Sequence, residues 1–173
     1  MHIFSQLKKV TTFIFDMDGV LTDGQLYLTE NNVWLRSMNI KDGYALQAAI
    51  KSGYQIIILS GSNSEPVTLR LQKLGLTHIF MNVKNKREFL MSFLKKNNLG
   101  VEEILYMGDD MPDMECMKMA GVATCPLDAV PDIRAIAAYI SPFTGGKGCV
   151  RDVIEKVMKL NGDWNSDANI TST

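Results

Sequence analysis

Apolar runs alternate with amphipathic stretches along most of the chain, and the alternation predicts strands and helices in turn. Residues 11–15 (Thr-Thr-Phe-Ile-Phe) read as a buried strand, with further strand-like runs at 55–59, 78–81, 104–107, 121–124 and 139–140. Between them lie helix-like segments. Residues 42–52 carry Tyr44, Ala45, Ala48 and Ala49 at helical spacing, with Gly53 as a stop. Residues 64–74 offer Ser64 as a cap, Glu65 and Pro66 in the first turn, and Gly75 beyond the end. Helices are also predicted at 86–97, 113–120, 131–138 and 150–160. Residues 24–38 break the alternation, with two short runs around Glu30-Asn31-Asn32 that predict a β-hairpin.

Strands separated by helices of this length imply an α/β fold, a Rossmann-like doubly wound parallel sheet. No repeat or linker divides the chain, so residues 1–161 are expected to form one domain and 162–173 a polar C-terminal tail. At 173 residues the chain can bury a sizeable core. Its 18 Lys and Arg against 19 Asp and Glu leave a net charge of −1, which gives no support for a nucleic-acid or membrane surface. Cys116, Cys125 and Cys149 have neither metal-ligand nor redox-pair spacing and fit reduced thiols. No apolar run approaches the roughly 20 residues of a membrane span. A cytoplasmic location is the expectation.

The chemistry gathers at predicted strand ends. Asp16 and Asp18 follow the first strand directly, where ligands bind in an open α/β sheet. Two adjacent carboxylates repel, so the pair suggests a bound cation, a shared proton or a reaction that needs both. Ser60 ends the second core strand, Lys86 follows the third, and Gly108-Asp109-Asp110-Met111-Pro112-Asp113 follows the fourth. Phosphoryl transfer uses all of them. A carboxylate approaching an anionic phosphate requires neutralised charge, and Mg2+ takes oxygen ligands of the kind Asp16 and Asp109 offer. Lys86 would offset remaining charge, Ser60 would donate to a phosphate oxygen, and Asp18 could protonate a leaving alkoxide and then activate water.

Asp16-x-Asp18 with Gly19, Ser60, Lys86 and Gly108-Asp109-Asp110-x-x-Asp113, in this order, resemble the four signatures of the haloacid dehalogenase superfamily. The resemblance implies that Asp16 is the nucleophile and Asp18 the acid/base. It also implies a Mg2+ held by Asp16, the main-chain carbonyl of Asp18, and Asp109, with Asp110 and Asp113 supporting from behind. Residues 18–60 hold only a hairpin and one helix, and 60–86 only a helix and strand, which is similar to the capless branch with a hairpin flap. Asn39-Ile40-Lys41-Asp42-Gly43-Tyr44, the Leu74-Gly75-Leu76 turn and Gly145-Gly146-Lys147-Gly148 are similar to capless phosphatases of keto-sugar acid phosphates. That likeness implies a small phosphorylated sugar-acid substrate and a homotetramer in which a neighbouring subunit completes each site. It implies substrate contacts from Asp18, Asn39, Ile40, Lys41, Asp42, Gly43, Gln47, Gly61, Ser62, Arg70 and Lys86. Two positions depart from the family pattern, since Ser62 and Gln47 stand where arginine is common. A nine-carbon keto-sugar acid 9-phosphate is the neighbouring substrate reading, and a catalytically silent binding subunit is the alternative from another class.

Other residues have plainer readings. His2 and His78 carry no expected role, and the methionines between 107 and 119 suggest flexible packing. The glycines of 145–148 would let backbone approach a ligand or a neighbouring subunit. Trp34 on the hairpin predicts an oligomer contact.

Overall fold

In the computed structural model, which describes residues 3–164 and residue 170, the chain opens with α1 (Ile3–Leu7) and β1 (Thr12–Phe15). A hairpin of β2 (Tyr27–Leu28) and β3 (Trp34–Leu35) follows, then α2 (Ile40–Lys51), β4 (Gln55–Leu59), α3 (Glu65–Lys73), β5 (His78–Phe80) and α4 (Lys86–Asn97). The remainder is β6 (Ile104–Met107), α5 (Met114–Met119), β7 (Val122–Cys125), α6 (Pro131–Ile136), β8 (Tyr139–Ile140) and α7 (Cys149–Asn161).

Six strands pair in the order β5-β4-β1-β6-β7-β8, every pair parallel. Thr12 is level with Gln55 on one side and Ile104 on the other. The chain builds outward from β1 to β5, then returns to the far side of β1. The order therefore reverses beside β1, and a crevice opens there at the strands' C-terminal ends.

Alternation along the three central strands explains the layers. Phe13, Phe15, Ile56, Ile58, Leu105 and Met107 face one core with side chains of α2, α3 and α7. Ile14, Ile57, Leu59, Ile104 and Tyr106 face a second core with Leu90 and Leu94 of α4, Cys116 and Met117 of α5, and Ile133 of α6. α7 gives Val150, Val153, Ile154, Val157 and Met158 to the first core.

The hairpin stands apart from both cores. Its turn is closed by the Thr29 N–H on the Val33 carbonyl at 3.1 Å, with Asn32 left-handed at φ 58°. Leu28 is 69% and Trp34 59% exposed, far from the burial such side chains normally find.

The expected elements form with ends moved by one or two residues. α2 begins earlier than expected because the Asn39 side chain accepts the Lys41 N–H at 2.9 Å and caps it. Ser64 precedes α3 but makes no side-chain capping bond. The five-residue α1 has too few positions to show a helical period. Trp164 packs edge-on against Tyr44 at 6.0 Å, so the tail begins as a docked segment. Residues 165–169 and 171–173 of the expected tail lie outside the described residues. All three cysteines are buried thiols.

Candidate active site

The crevice beside β1 is built from strand ends. Asp16 leaves β1, Ser60 leaves β4, Asp109 leaves β6, and Lys86 opens α4. Together with Asp18, Gly19, Gly24, Gly61, Ser62, Asp110 and Pro112 they line a cleft of about 290 Å³. The sequence-predicted residues Asp16, Asp18, Ser60, Gly61, Ser62, Lys86, Asp109 and Asp110 are therefore brought to one place. Gly24 and Pro112 join them without having been expected.

A tight turn over 17–21 follows Asp16 and carries Asp18, closed by the Thr22 N–H on the Met17 carbonyl at 3.0 Å. Gly19 is left-handed at φ 82°, and a Cβ there would collide with the Asp109 carboxylate. Only glycine lets the first loop lie this close to the last. The loop is braced from outside by Gly145 and Gly146, whose hypothetical Cβ atoms would meet the backbone of Gly19 and of Thr22 and Asp23. The Gly146 N–H donates to the Val20 carbonyl at 2.9 Å. Gly145 and Gly146 thus lie directly against this loop.

Asp16 Oδ1 accepts the Met17 N–H at 2.7 Å and pairs with Lys86 Nζ at 2.9 Å. Its other oxygen has no hydrogen-bond partner among the described residues. Lys86 Nζ also bonds Asp113 Oδ1 at 2.8 Å. Tyr106 donates its hydroxyl to that same oxygen at 2.7 Å, and the Asp109 N–H reaches Asp113 Oδ2 at 3.3 Å. Asp113 is wholly buried and spends its oxygens holding Lys86 and the Asp109 loop.

Burial pushes Asp16 up to about 7, reinforced by the Asp113 charge and only partly opposed by Lys86. Burial and the Asp16, Asp113 and Asp110 charges push Asp109 up to about 8. For Lys86, burial acts downward, but the Asp113 and Asp16 carboxylates hold its proton above the usual lysine range. One lysine does not balance three carboxylates. Asp16, Asp109 and Asp113 each place an oxygen within 4.8 Å of the others. An all-oxygen, over-acidic cluster suits a hard cation such as Mg2+. With Asp113 already engaged, Asp16 and Asp109 are the ligands left to offer.

Asp18 has a different environment. Arg36 grips it through Nε on Oδ1 at 2.8 Å and Nη2 on Oδ2 at 3.2 Å. Ser62 donates to Oδ2 at 2.7 Å and Thr22 to Oδ1 at 3.2 Å. Burial works to raise the Asp18 pKa, but hydrogen bonds from Arg36 and Ser62 hold it below the ordinary carboxylate value. Arg36, Thr22 and Tyr106 were not expected at the site.

The expected substrate contacts outside the cleft are dispersed. Asn39 and Lys41 line a separate cleft of about 710 Å³ against α7. Ile40 is exposed on the first turn of α2. Asp42 is buried, and its Oδ1 accepts the Arg151 N–H at 2.7 Å, which joins α2 and α7. Gly43 is also buried, and a Cβ there would meet the Arg70 guanidinium at 3.2 Å. Gln47 and Arg70 are half-buried, and neither lines the cleft.

Residues 39–126 match the haloacid dehalogenase-like hydrolase family. The chain is 30% identical over 161 residues to the 3-deoxy-D-manno-octulosonate 8-phosphate phosphatase of Salmonella typhi, covering 93% of this chain and 86% of that protein. It is 31% identical to the Escherichia coli (strain K12) phosphatase of the same name, over 92% of this chain and 85% of the relative. Among solved structures, the Moraxella catarrhalis 3-deoxy-D-manno-octulosonate 8-phosphate phosphatase, in complex with magnesium, phosphate and KDO, superposes with a TM-score of 0.90. It is 32% identical, over 93% of this chain and 92% of that one. The cobalt-bound Haemophilus influenzae enzyme gives 0.85 at 27% identity, covering 91% and 92%.

Proposed function

The chain belongs to the haloacid dehalogenase-like hydrolases, and on that premise we propose that it is a Mg2+-dependent phosphomonoesterase acting on 3-deoxy-D-manno-octulosonate 8-phosphate. The observation that carries the reading is the convergence of Asp16, Asp18, Lys86 and Asp109 on one cleft at the switch in strand order. The relatives named above, the Moraxella catarrhalis complex among them, support the substrate.

In this reading Asp16 and Asp109, with the Asp18 carbonyl, hold Mg2+. When bound, the ion neutralises charge on the phosphate and the cluster. Asp16 attacks phosphorus, the bond to the sugar oxygen breaks, and its electron pair stays on that oxygen, which takes a proton from Asp18. Asp18 then removes a proton from the water that attacks the aspartyl phosphate, releasing phosphate and restoring Asp16. Lys86 favours the ionised form of Asp16 and orients it, and Ser60 is placed to donate to a phosphate oxygen. Asp113 acts from behind, holding Lys86 and the Asp109 loop, while Asp110 lines the cleft. Residues 1–161 form the phosphatase unit and 162–173 its tail.

The exposed hairpin supports a homotetramer in which neighbours cover these strands and help complete each site. No helix among the described residues is long and apolar enough to cross a membrane. We place the enzyme in the cytoplasm, in the synthesis of a lipopolysaccharide sugar.

The test is phosphate release with Mg2+ from the eight-carbon 8-phosphate, beside nine-carbon keto-sugar acid 9-phosphates and an aryl phosphate. Preference for the first is the expected result. Preference for a nine-carbon acid would reassign the substrate, and inertness toward all would point to a silent binding subunit.

A further inference from the structure

Asp113 lies as close to Asp16 and Asp109 as a third metal ligand would, since each of the three places an oxygen within 4.8 Å of the others. Gly108 makes this approach possible, because a Cβ there would collide with the Asp113 side chain. Distance alone therefore does not keep Asp113 out of a cation's ligand set. Its donors do. Lys86 Nζ at 2.8 Å and the Tyr106 hydroxyl at 2.7 Å both bond Oδ1, and the Asp109 N–H reaches Oδ2 at 3.3 Å. Two donors on one oxygen fill its acceptor sites and hold the carboxylate in one rotation. Lys86 divides itself between Asp113 and Asp16. Tyr106 gives its hydroxyl to no other carboxylate among the described residues. Its ring is wholly buried in the second core. A plain phenyl ring would fill the same layer, so what the hydroxyl adds is its bond to Asp113.

Resting on the Mg2+ site of the phosphatase reading above, we propose that Tyr106 is a positioning residue that keeps Asp113 off the cation and so sets the site for Mg2+ against Ca2+. The supply of carboxylates decides between these ions. Mg2+ keeps several waters in a tight octahedron with few carboxylates, whereas Ca2+ takes more oxygen ligands in a looser shell. Asp16 and Asp109 alone suit the smaller ion. A third carboxylate that is free to turn inward suits the larger one. Removing the Tyr106 hydroxyl opens an acceptor site on Asp113 Oδ1 and frees the carboxylate to rotate, while Lys86 retains Asp16 as a partner.

The experiment compares Tyr106→Phe, which keeps the ring, with the wild type. Each is stripped of metal and titrated calorimetrically with Mg2+ alone and with Ca2+ alone at one pH. The expected result for Tyr106→Phe is a rise of roughly tenfold in the ratio of Ca2+ to Mg2+ affinity, mainly through tighter Ca2+ binding. General loosening of the site would weaken both ions together and leave the ratio alone, which separates positioning from plain structural support. The same substitution added to Asp113→Asn should leave the ratio within about twofold of Asp113→Asn by itself, because the third carboxylate is then gone. The single variant decides the matter should the double one not fold. An unchanged ratio in Tyr106→Phe, or a rise that survives in the Asp113→Asn background, overturns the proposal. A wild-type protein that binds neither ion would instead remove the Mg2+ reading beneath it.

Discussion

Lys86 Nζ lies 2.9 Å from Asp16 Oδ1, with only 4% and 12% of the two side chains exposed. The same ammonium binds Asp113, so one cation joins the loop after β1 to the loop after β6. Lys86→Met would leave two buried carboxylates without it. The expected cost is about 3–5 kcal/mol, the range for breaking a buried pair from one side. Urea unfolding at neutral pH measures it. A loss below about 1 kcal/mol, the scale of exposed pairs, would mean that the pair is solvated.

Asp16→Asn removes the nucleophile and a buried charge together. Turnover should vanish while the melting temperature in metal-free buffer holds or rises, because this carboxylate is disfavoured in the fold. Calorimetry beside a phosphate-release assay reads both. Residual turnover near the wild-type rate would exclude Asp16 as the nucleophile.

The metal-free protein should be more stable in mild acid than in base. Asp16 at about 7 and Asp109 at about 8 are raised from 3.8, so the stability they contribute is complete below about pH 4 and is lost as pH rises through those values. Mg2+ competes with those protons and should raise the melting temperature more at about pH 8.5 than at about pH 5.5. Melting curves in EDTA and in Mg2+ at both pH values decide it. An equal gain at both would place the ion elsewhere.

The hairpin prediction concerns size. Leu28, Val33, Trp34 and Leu35 are all more than half exposed, and an isolated two-stranded ribbon is marginal in water. Trp34→Asp should reduce a tetramer to smaller species by light scattering while leaving the chain folded by circular dichroism. A wild-type monomer at working concentration would remove the shared-site idea.

The sequence made the strand-end residues legible because each closely follows an apolar run. Asp16, Ser60 and Asp109 needed only the rule that such runs become parallel strands. Arg36 was hidden because its partner lies 18 residues away, and nothing local distinguishes a buried arginine from a solvated one. Tyr106 sits inside an apolar run, where its hydroxyl gives no sign of reaching Asp113. The Asp42 bond to α7 was hidden for the same reason, since only tertiary packing brings the Arg151 N–H to it. Gly145 and Gly146 lie against the backbone of Gly19, Thr22 and Asp23, a partner that their own spacing does not identify.

The strand order has a consequence for biosynthesis. β1 sits between β4 and β6, so it leaves the ribosome before either neighbour and can complete its pairing only when β6 follows. Until then Thr12–Phe15, fully buried in the finished protein, offers bare strand edges to any nascent chain nearby. Parallel pairing over such separations is slow to nucleate. Dilute, cool expression and chaperone supply should therefore govern yield more strongly than the stability of the finished fold.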